Sequence, residues 1–440
     1  MASNMQAHKI IPAHKLRSNN IVVVGLGYVG LPLALLAKKN GYNVSGIVRS
    51  KYKADLINKK ICPFEDKSIS RELKQHFISA TVDFSIIKDA DIVIICVPTP
   101  VDGYHKPDLE PIITTSKNIG INLKKGTLII LESTVNPGTI REQVIPLLER
   151  ESKLIAGKDF YIAHCPERIN PGDTTWNVKN ISRIVGGFDD KSLERAVRFY
   201  KSIISAKIKP MQSIEEAEAV KIVENCFRDI NIAFVNELAI SFSLLGIDVV
   251  NVIEGASTKP FSFLPHYPGC GVGGHCIPVD PYYMIEYASG KGFSHRFLSL
   301  ARQINNDMPL YTANLAINEL ENQGKNLKNS TVTVLGISYK KNIDDFREST
   351  SFKIIESLKK RGINVKSYDP HVLDKSTAKN LDEALNNADA IILATDHDEF
   401  LTLTPEYLLE NNINILIDGR NCFNGEQFIK AGIYYKGIGR

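Results

Sequence analysis

The chain is poor in several features, and each shortage removes a class of protein. No apolar run reaches the roughly 20 residues that a bilayer-spanning helix needs. The opening stretch 1–18 has no apolar segment of the kind that marks a secretion signal, and it reads as a disordered tail. Charge of one sign is scarce too: 53 Lys and Arg stand against 49 Asp and Glu, leaving +4 at pH 7 over 440 residues. That balance argues against nucleic-acid and membrane-surface partners. The seven cysteines are odd in number and scattered, which excludes a disulfide framework and fits reduced thiols in a cytoplasmic enzyme. What remains is ordinary globular composition, 43% hydrophobic and 23% charged, in a chain long enough for two or three domains.

The organisation follows from short apolar runs between helical stretches. Ile21–Val24, Asn43–Val48, Asp91–Val97 and Thr127–Leu131 each read as a buried parallel strand, and a helix from Leu31 to Lys39 stops at Gly41. The same grammar returns near the C-terminus. Thr331–Gly336 resembles the first strand, Gly362–Val365 echoes Gly41–Val44, and Asn387–Leu393 echoes Asp89–Ile95. Between them, Glu215–Leu245 has neither proline nor glycine and predicts one long helix. Such a helix would reach about 46 Å, enough to link two domains and to form a dimer interface. The fold class is therefore α/β: two Rossmann-like doubly wound domains joined by a long central helix and a helical middle domain. The expected boundaries are 19–205, 206–318 and 325–440.

Several motifs carry chemistry. Gly25, Gly27 and Gly30 lie between a strand and a helix, as a loop that cradles a pyrophosphate requires. An acidic residue should end the second strand and hold a ribose hydroxyl, but Val48-Arg49-Ser50-Lys51 stands there. The basic residues suit a 2′-phosphate, so NAD and NADP both stay open. The densest run is Gly269–Pro281, where glycines let backbone amides approach a ligand and Cys276 is placed to attack a carbonyl. Asp280 lies four residues on, near enough to accept a proton. Cys270, His275 and Cys276 do not match the spacing of zinc ligands, and no metal is expected. The segments 132–139 and 164–172 follow strands, where open α/β sheets bind ligands. Lys221 and Asn225 share one helix face, and Lys221 is a candidate oxyanion donor.

Taken together, these motifs resemble the UDP-glucose/GDP-mannose dehydrogenase family over residues 20–440. The resemblance is carried by Gly-Leu-Gly-Tyr-Val-Gly at 25–30, Val-Pro-Thr-Pro at 97–100, Ser-Thr-Val at 133–135, Cys-Pro-Glu-Arg at 165–168, Lys221 with Asn225, Gly-Gly-His-Cys at 273–276 and the run 339–347. It implies an NAD(P)-binding first domain, a dimerising middle and a UDP-sugar-binding last domain. It also implies two successive oxidations of a sugar C6 hydroxyl, through a thiohemiacetal and a thioester on Cys276. In that scheme Lys221 steadies the oxyanions, Asn225 and Asp280 orient water, Glu167 does acid–base work and Thr134 positions the water. The cofactor is expected against Gly25, Gly27, Tyr28, Val29, Gly30, Arg49, Lys53, Pro98, Thr99, Thr134 and Arg347. The substrate is expected against Glu167, Arg168, Lys221, Asn225, Tyr267, Gly273, Tyr339, Lys340 and Arg420.

His275 and Val279, where UDP-glucose enzymes more often carry Ser and Lys, look like the branch that oxidises UDP-N-acetylhexosamines. UDP-N-acetylglucosamine comes first, UDP-N-acetylmannosamine second and UDP-glucose third. The expected assembly is a homodimer. A two-electron hydroxyacid dehydrogenase would need neither the cysteine nor the second Rossmann-like domain. A non-catalytic nucleotide-sugar binder would have no use for the retained Cys276, Lys221 and Asp280.

Overall fold

The computed structural model describes residues 19–64, 66–102, 106–169 and 175–440. The tail expected at 1–18 and the end of the 164–172 segment lie outside them. The chain forms two compact units that divide after Val223, each with its own parallel sheet.

The first unit holds β1 (Asn20–Val24), β2 (Asn43–Ile47), β3 (Ser79–Thr81), β4 (Ile92–Ile95), β5 (Leu128–Leu131), β6 (Tyr161–His164), β7 (Arg183–Gly187) and β8 (Ile208–Pro210). They pair in the order β3-β2-β1-β4-β5-β6-β7-β8. Every pairing is parallel except β6 with β7. The continuous apolar runs have a direct cause, since both faces of the sheet are covered. Ile21 and Val23 of β1 pack with Leu33 and Leu36 of the helix Gly30–Lys39. Val22 and Val24 point the other way, to Ile112 and Ile119 of the helix Glu110–Asn122. The chain leaves β1 toward β2 on one side and resumes at β4 on the other, so the switch point where such sheets bind ligands lies beyond β1 and β4. β4 is shorter than its apolar run. Cys96 N–H still donates to Val24 O at 2.8 Å, but Pro98 and Pro100 have no N–H to continue the ladder.

The second unit holds β9 (Thr331–Leu335), β10 (Asn364–Tyr368), β11 (Ala390–Leu393), β12 (Ile415–Asp418) and β13 (Tyr434–Gly437). Their order is β10-β9-β11-β12-β13, all parallel. Val332 and Val334 pack with Ala313, Ala316 and Leu320 of the 27-residue helix Arg296–Asn322, while Leu335 and Leu393 face a separate cluster with Phe400 and Leu408. The long helix predicted over 215–245 spans Ile214–Leu245. Residues up to 223 belong to the first unit and those from 224 to the second. The helices Val249–Ser257 and Asp280–Gly290 complete the middle of the chain.

Candidate active site

The three glycines of the first turn are needed for three different reasons. Gly25 has φ +97°, and a Cβ there would sit 2.4 Å from Cys96 O at the end of β4. A Cβ on Gly30 would meet the Gly25 carbonyl at 1.9 Å, so the helix could not start so close to the turn. A Cβ on Gly27 would touch nothing within 4 Å, which leaves room for a phosphate to approach the backbone. No side chain caps the helix Gly30–Lys39, so none competes with such an anion at its N-terminus, where Leu31 N–H donates to Gly27 O at 3.1 Å. These features fit a dinucleotide. Beyond β2, Val48 is buried in the core and Arg49 is exposed; Lys53 lies exposed on the next helix. Pro98 and Thr99 follow β4, and the Ser133 hydroxyl donates to Val97 O at 2.7 Å to fix that strand end beside the half-buried Thr134.

Glu167 is buried. Its Oε1 accepts the backbone N–H groups of Arg168 and Ile169 at 2.6 and 2.7 Å, and its Oε2 lies 2.8 Å from the Arg183 guanidinium. The Arg168 guanidinium donates to Ser182 O. Lys221 is half-buried on the long helix.

One turn before Lys221 on that helix is a residue whose role the sequence did not disclose. Glu218 is buried, and its carboxylate accepts the N–H groups of Gly138 and Ile140 at 2.5 and 2.9 Å. It thereby ties down the turn that follows Thr134. Burial pushes its carboxyl up to about 8 against the pull of the two amides.

The second unit assembles the thiol loop. Asp280 and Val279 N–H both donate to Cys276 O, closing a turn that leads into the helix Asp280–Gly290. The buried Asp280 carboxylate accepts the Asn225 amide at 2.5 Å, so these two expected partners meet. The loop glycines are set by what packs on them. A Cβ on Gly273 or Gly274 would meet the Tyr339 side chain at 2.8 Å, and Gly274 N–H donates to Arg347 O. Gly271, at φ +109°, lies against the Asn305 carbonyl, which lacks its helical donor because residue 309 is proline. Gly269 N–H donates to Asn236 Oδ1 at 3.0 Å. Asn236 in turn is held by Asn305, and Asn305 by Asp229, which pairs with Arg302. This buried chain of amides and one ion pair anchors the start of the loop, and no local pattern announced it.

Cys276 is half-buried, within electrostatic reach of Tyr339 and Arg347. Burial first, then Asp345 and Cys276, push the Tyr339 hydroxyl up to about 12. Arg347 is clamped by Asp345 at 2.6 Å, and His275 lies 3.8 Å from the same carboxylate. Arg347, expected at the cofactor or the UDP site, lies with the thiol loop in the second unit. Arg420 binds Asp396 at 3.1 Å and lies beside Gly269. Lys340 is half-buried and Tyr267 exposed. The Cys270 thiol donates to Gly419 O instead of joining Cys276.

Among the described residues one group gathers potential metal-ligating atoms, His371, His397 and Glu399, all within 4.8 Å. His397 is already committed: its Nδ1 accepts Asn342 N–H, and its Nε2 lies 2.9 Å from the Ser338 hydroxyl and 3.1 Å from Asp369. We assign this group a packing role.

Three family models match the chain in order. They describe the NAD binding domain, the central domain and the UDP binding domain of the UDP-glucose/GDP-mannose dehydrogenase family, over residues 19–204, 215–307 and 333–425. A UDP-N-acetyl-D-glucosamine 6-dehydrogenase of Salmonella typhi is 39% identical over 77% of this chain and 79% of its own. A UDP-N-acetyl-D-mannosamine dehydrogenase of Pyrococcus horikoshii is 36% identical, covering 96% of this chain and 99% of its own. The solved structure of UDP-D-ManNAc dehydrogenase from Pyrococcus horikoshii superposes with a TM-score of 0.90 at 36% identity, covering 96% of this chain and 99% of that one.

Proposed function

Because the chain belongs to the UDP-glucose/GDP-mannose dehydrogenase family and is a UDP-sugar dehydrogenase with an NAD binding domain, we propose that it oxidises the C6 hydroxyl of UDP-N-acetylglucosamine to a carboxylate. The observation that carries this reading is the thiol loop, where Asp280, paired with Asn225, donates its N–H to Cys276 O and Tyr339 packs on Gly273 and Gly274 just before the thiol.

When bound, NAD would supply the hydride acceptor for each of the two oxidations at C6. The first removes the hydroxyl proton as well and leaves an aldehyde. The Cys276 sulfur adds to that aldehyde, and the new oxygen takes the proton, giving a thiohemiacetal. Loss of a second hydride together with the thiohemiacetal hydroxyl proton gives a thioester. Water cleaves it, releasing the carboxylate and restoring the thiol. Lys221 stabilises the oxyanions that arise at C6. Asn225 and Asp280 orient the water, Thr134 helps position it, and Glu167 handles the protons.

UDP-N-acetylmannosamine is the second reading, favoured by the Pyrococcus horikoshii structure. With Val48 buried where a carboxylate would discriminate, NADP is accepted beside NAD, with Arg49 meeting the 2′-phosphate. We also propose a homodimer, supported by exposed Phe234, Phe297 and Leu300 along a groove between the helices Ile214–Leu245 and Arg296–Asn322. Seven unbridged cysteines support a cytoplasmic setting.

The test offers UDP-GlcNAc, UDP-ManNAc and UDP-glucose with NAD or NADP. Two reduced cofactors per sugar, fastest with UDP-GlcNAc, are expected, and Cys276→Ala should turn over at least about 1000-fold more slowly. One reduced cofactor per sugar, or full turnover by the Cys276 variant, would sink the thioester route.

A further inference from the structure

Behind Glu167 lies a buried charge cluster whose ledger does not balance. Two carboxyls, Glu132 at the end of β5 and Glu167 beyond β6, share one guanidinium, Arg183 of β7. All three are buried, and Arg183 and its carboxyl partners lie in one unit. Arg183 reaches Glu167 at 2.8 Å and Glu132 only at 3.6 Å. The other groups facing the cluster bring no positive charge. Burial pulls His164 down to about 3, so its ring is neutral. The thiols of Cys96 and Cys165 and the Tyr200 hydroxyl are all pushed up by burial and stay protonated. With both carboxyls ionised, one negative charge would be buried without a partner, at a cost of several kcal/mol.

The hydrogen bonds point the same way. Glu132 Oε1 accepts the Tyr200 hydroxyl at 2.5 Å, and Glu167 Oε1 accepts two backbone amides. The remaining oxygen of each, Oε2, has no hydrogen-bond partner when both are treated as acceptors. Yet the two side chains are close enough to bond each other if one carries a proton. Burial, the first cause, and the Glu167 charge both raise the Glu132 carboxyl; Arg183 opposes them.

We propose that Glu132 is a positioning residue for Glu167: the pair holds a single proton at neutral pH, seated on Glu132 Oε2 and donated to Glu167 Oε2, which leaves Arg183 to the Glu167 carboxylate. The proton comes from water on folding and returns to water when the pair ionises at higher pH. The catalytic consequence rests on the reading of Glu167 as the proton-handling group. The proton itself does not rest on that reading.

Glu132→Gln is the decisive variant, because its amide donates to Glu167 without titrating. A carboxyl raised in the folded state stabilises the fold at low pH, and that stability drains away as pH rises from the unfolded value toward the raised one. The melting temperature of Glu132→Gln should therefore gain on that of the natural chain by about 2–4 °C between pH 5 and pH 8. Glu132→Ala, which has no donor, should melt lower than Glu132→Gln throughout. A gap that stays constant with pH, or Gln and Ala variants that melt alike, would overturn the proposal. These readings need no turnover, so they stand whether or not UDP-GlcNAc is oxidised. Where turnover is present, the alkaline limb of kcat/KM in the natural chain should flatten in Glu132→Gln, and a limb that is unchanged would also overturn it.

Discussion

The two parallel sheets open with nearly the same turn and then use it in opposite ways. β1 and β9 are each followed by a glycine with positive φ, Gly25 at +97° and Gly336 at +91°. In the first unit the residue after β2 is the buried Val48, and the helix after the glycine turn has no side-chain cap. In the second unit the residue after β10 is Asp369. Its carboxylate accepts Ile337 and Ser338 N–H at 2.6 and 2.7 Å, the amides that directly follow Gly336. One turn has no side-chain cap, and the other closes its amides with the chain's own acid. A repeated strand grammar therefore does not imply a repeated binding site; what matters is whether a side chain has already taken the amides.

The comparison breaks hardest at the first glycines. Gly25→Ala combines a strained φ with a 2.4 Å overlap on Cys96 O. NAD affinity should fall at least about 100-fold, roughly 3 kcal/mol, in a fluorescence titration. Gly336→Ala, equally strained against Thr395, should cost stability and leave NAD affinity within about twofold. Loss of NAD binding in both would mean the two turns are not functionally distinct.

Next comes Asp369→Ala, which strips two amides and the His397 imidazole of their acceptor and should cost about 2–4 kcal/mol in urea unfolding at pH 7. The same bonds and the imidazole hold the Asp369 carboxyl far below the usual carboxylate range, against the opposing effect of its own burial. A depressed carboxyl stabilises the fold above its unfolded value and loses that contribution as pH falls through the folded one. The deficit of the variant should thus be constant above about pH 5 and shrink as pH drops below about 4. A deficit independent of pH would remove the charge from the explanation.

A smaller effect tests the missing acid of the first unit. Arg49→Asp should move the NAD to NADP ratio of kcat/KM about tenfold toward NAD, about 1.4 kcal/mol. An unchanged ratio would show that the 2′ position is read elsewhere. Smallest of all, Gly27→Ala should change stability by no more than about 0.5 kcal/mol, since its Cβ meets nothing, while NAD still binds more weakly. A large loss of stability there would mean that Gly27 serves the fold and not the ligand.

How much of this could be read in advance depended on the range of the interaction. The strands, the glycine turn, the long helix and the thiol loop are local patterns, and their residues lie next to one another in the sequence. Asn225 with Asp280 was reachable only because both belong to motifs. The partners of Glu167 were not reachable. Arg183 reads as one more basic residue in an apolar strand, Tyr200 as a helix aromatic, and Glu132 as a polar neighbour of Thr134. Only the sheet order, with β7 running antiparallel to β6, puts them together. Glu218 and Asn236 share this character: each satisfies a backbone amide 78 or 33 residues away, and nothing periodic marks such a bond. The absent acid at Val48 was visible at once, because a fixed position in a short motif was empty.

The packing of Tyr339 on Gly273 and Gly274 also limits how this chain can be recombined with its relatives. The two glycines and the tyrosine are separate in sequence but form one fitted surface, with no space for a Cβ on either glycine. A hybrid joined between the helix Arg296–Asn322 and β9 would inherit the loop from one parent and residue 339 from the other. Where the second parent has a different side chain there, the fit around the thiol changes although no loop residue has been altered. A crossover placed before Gly269 keeps that fitted surface together, but it requires both parents to match at Asn225 and Asn236, which bond across the seam to Asp280 and Gly269.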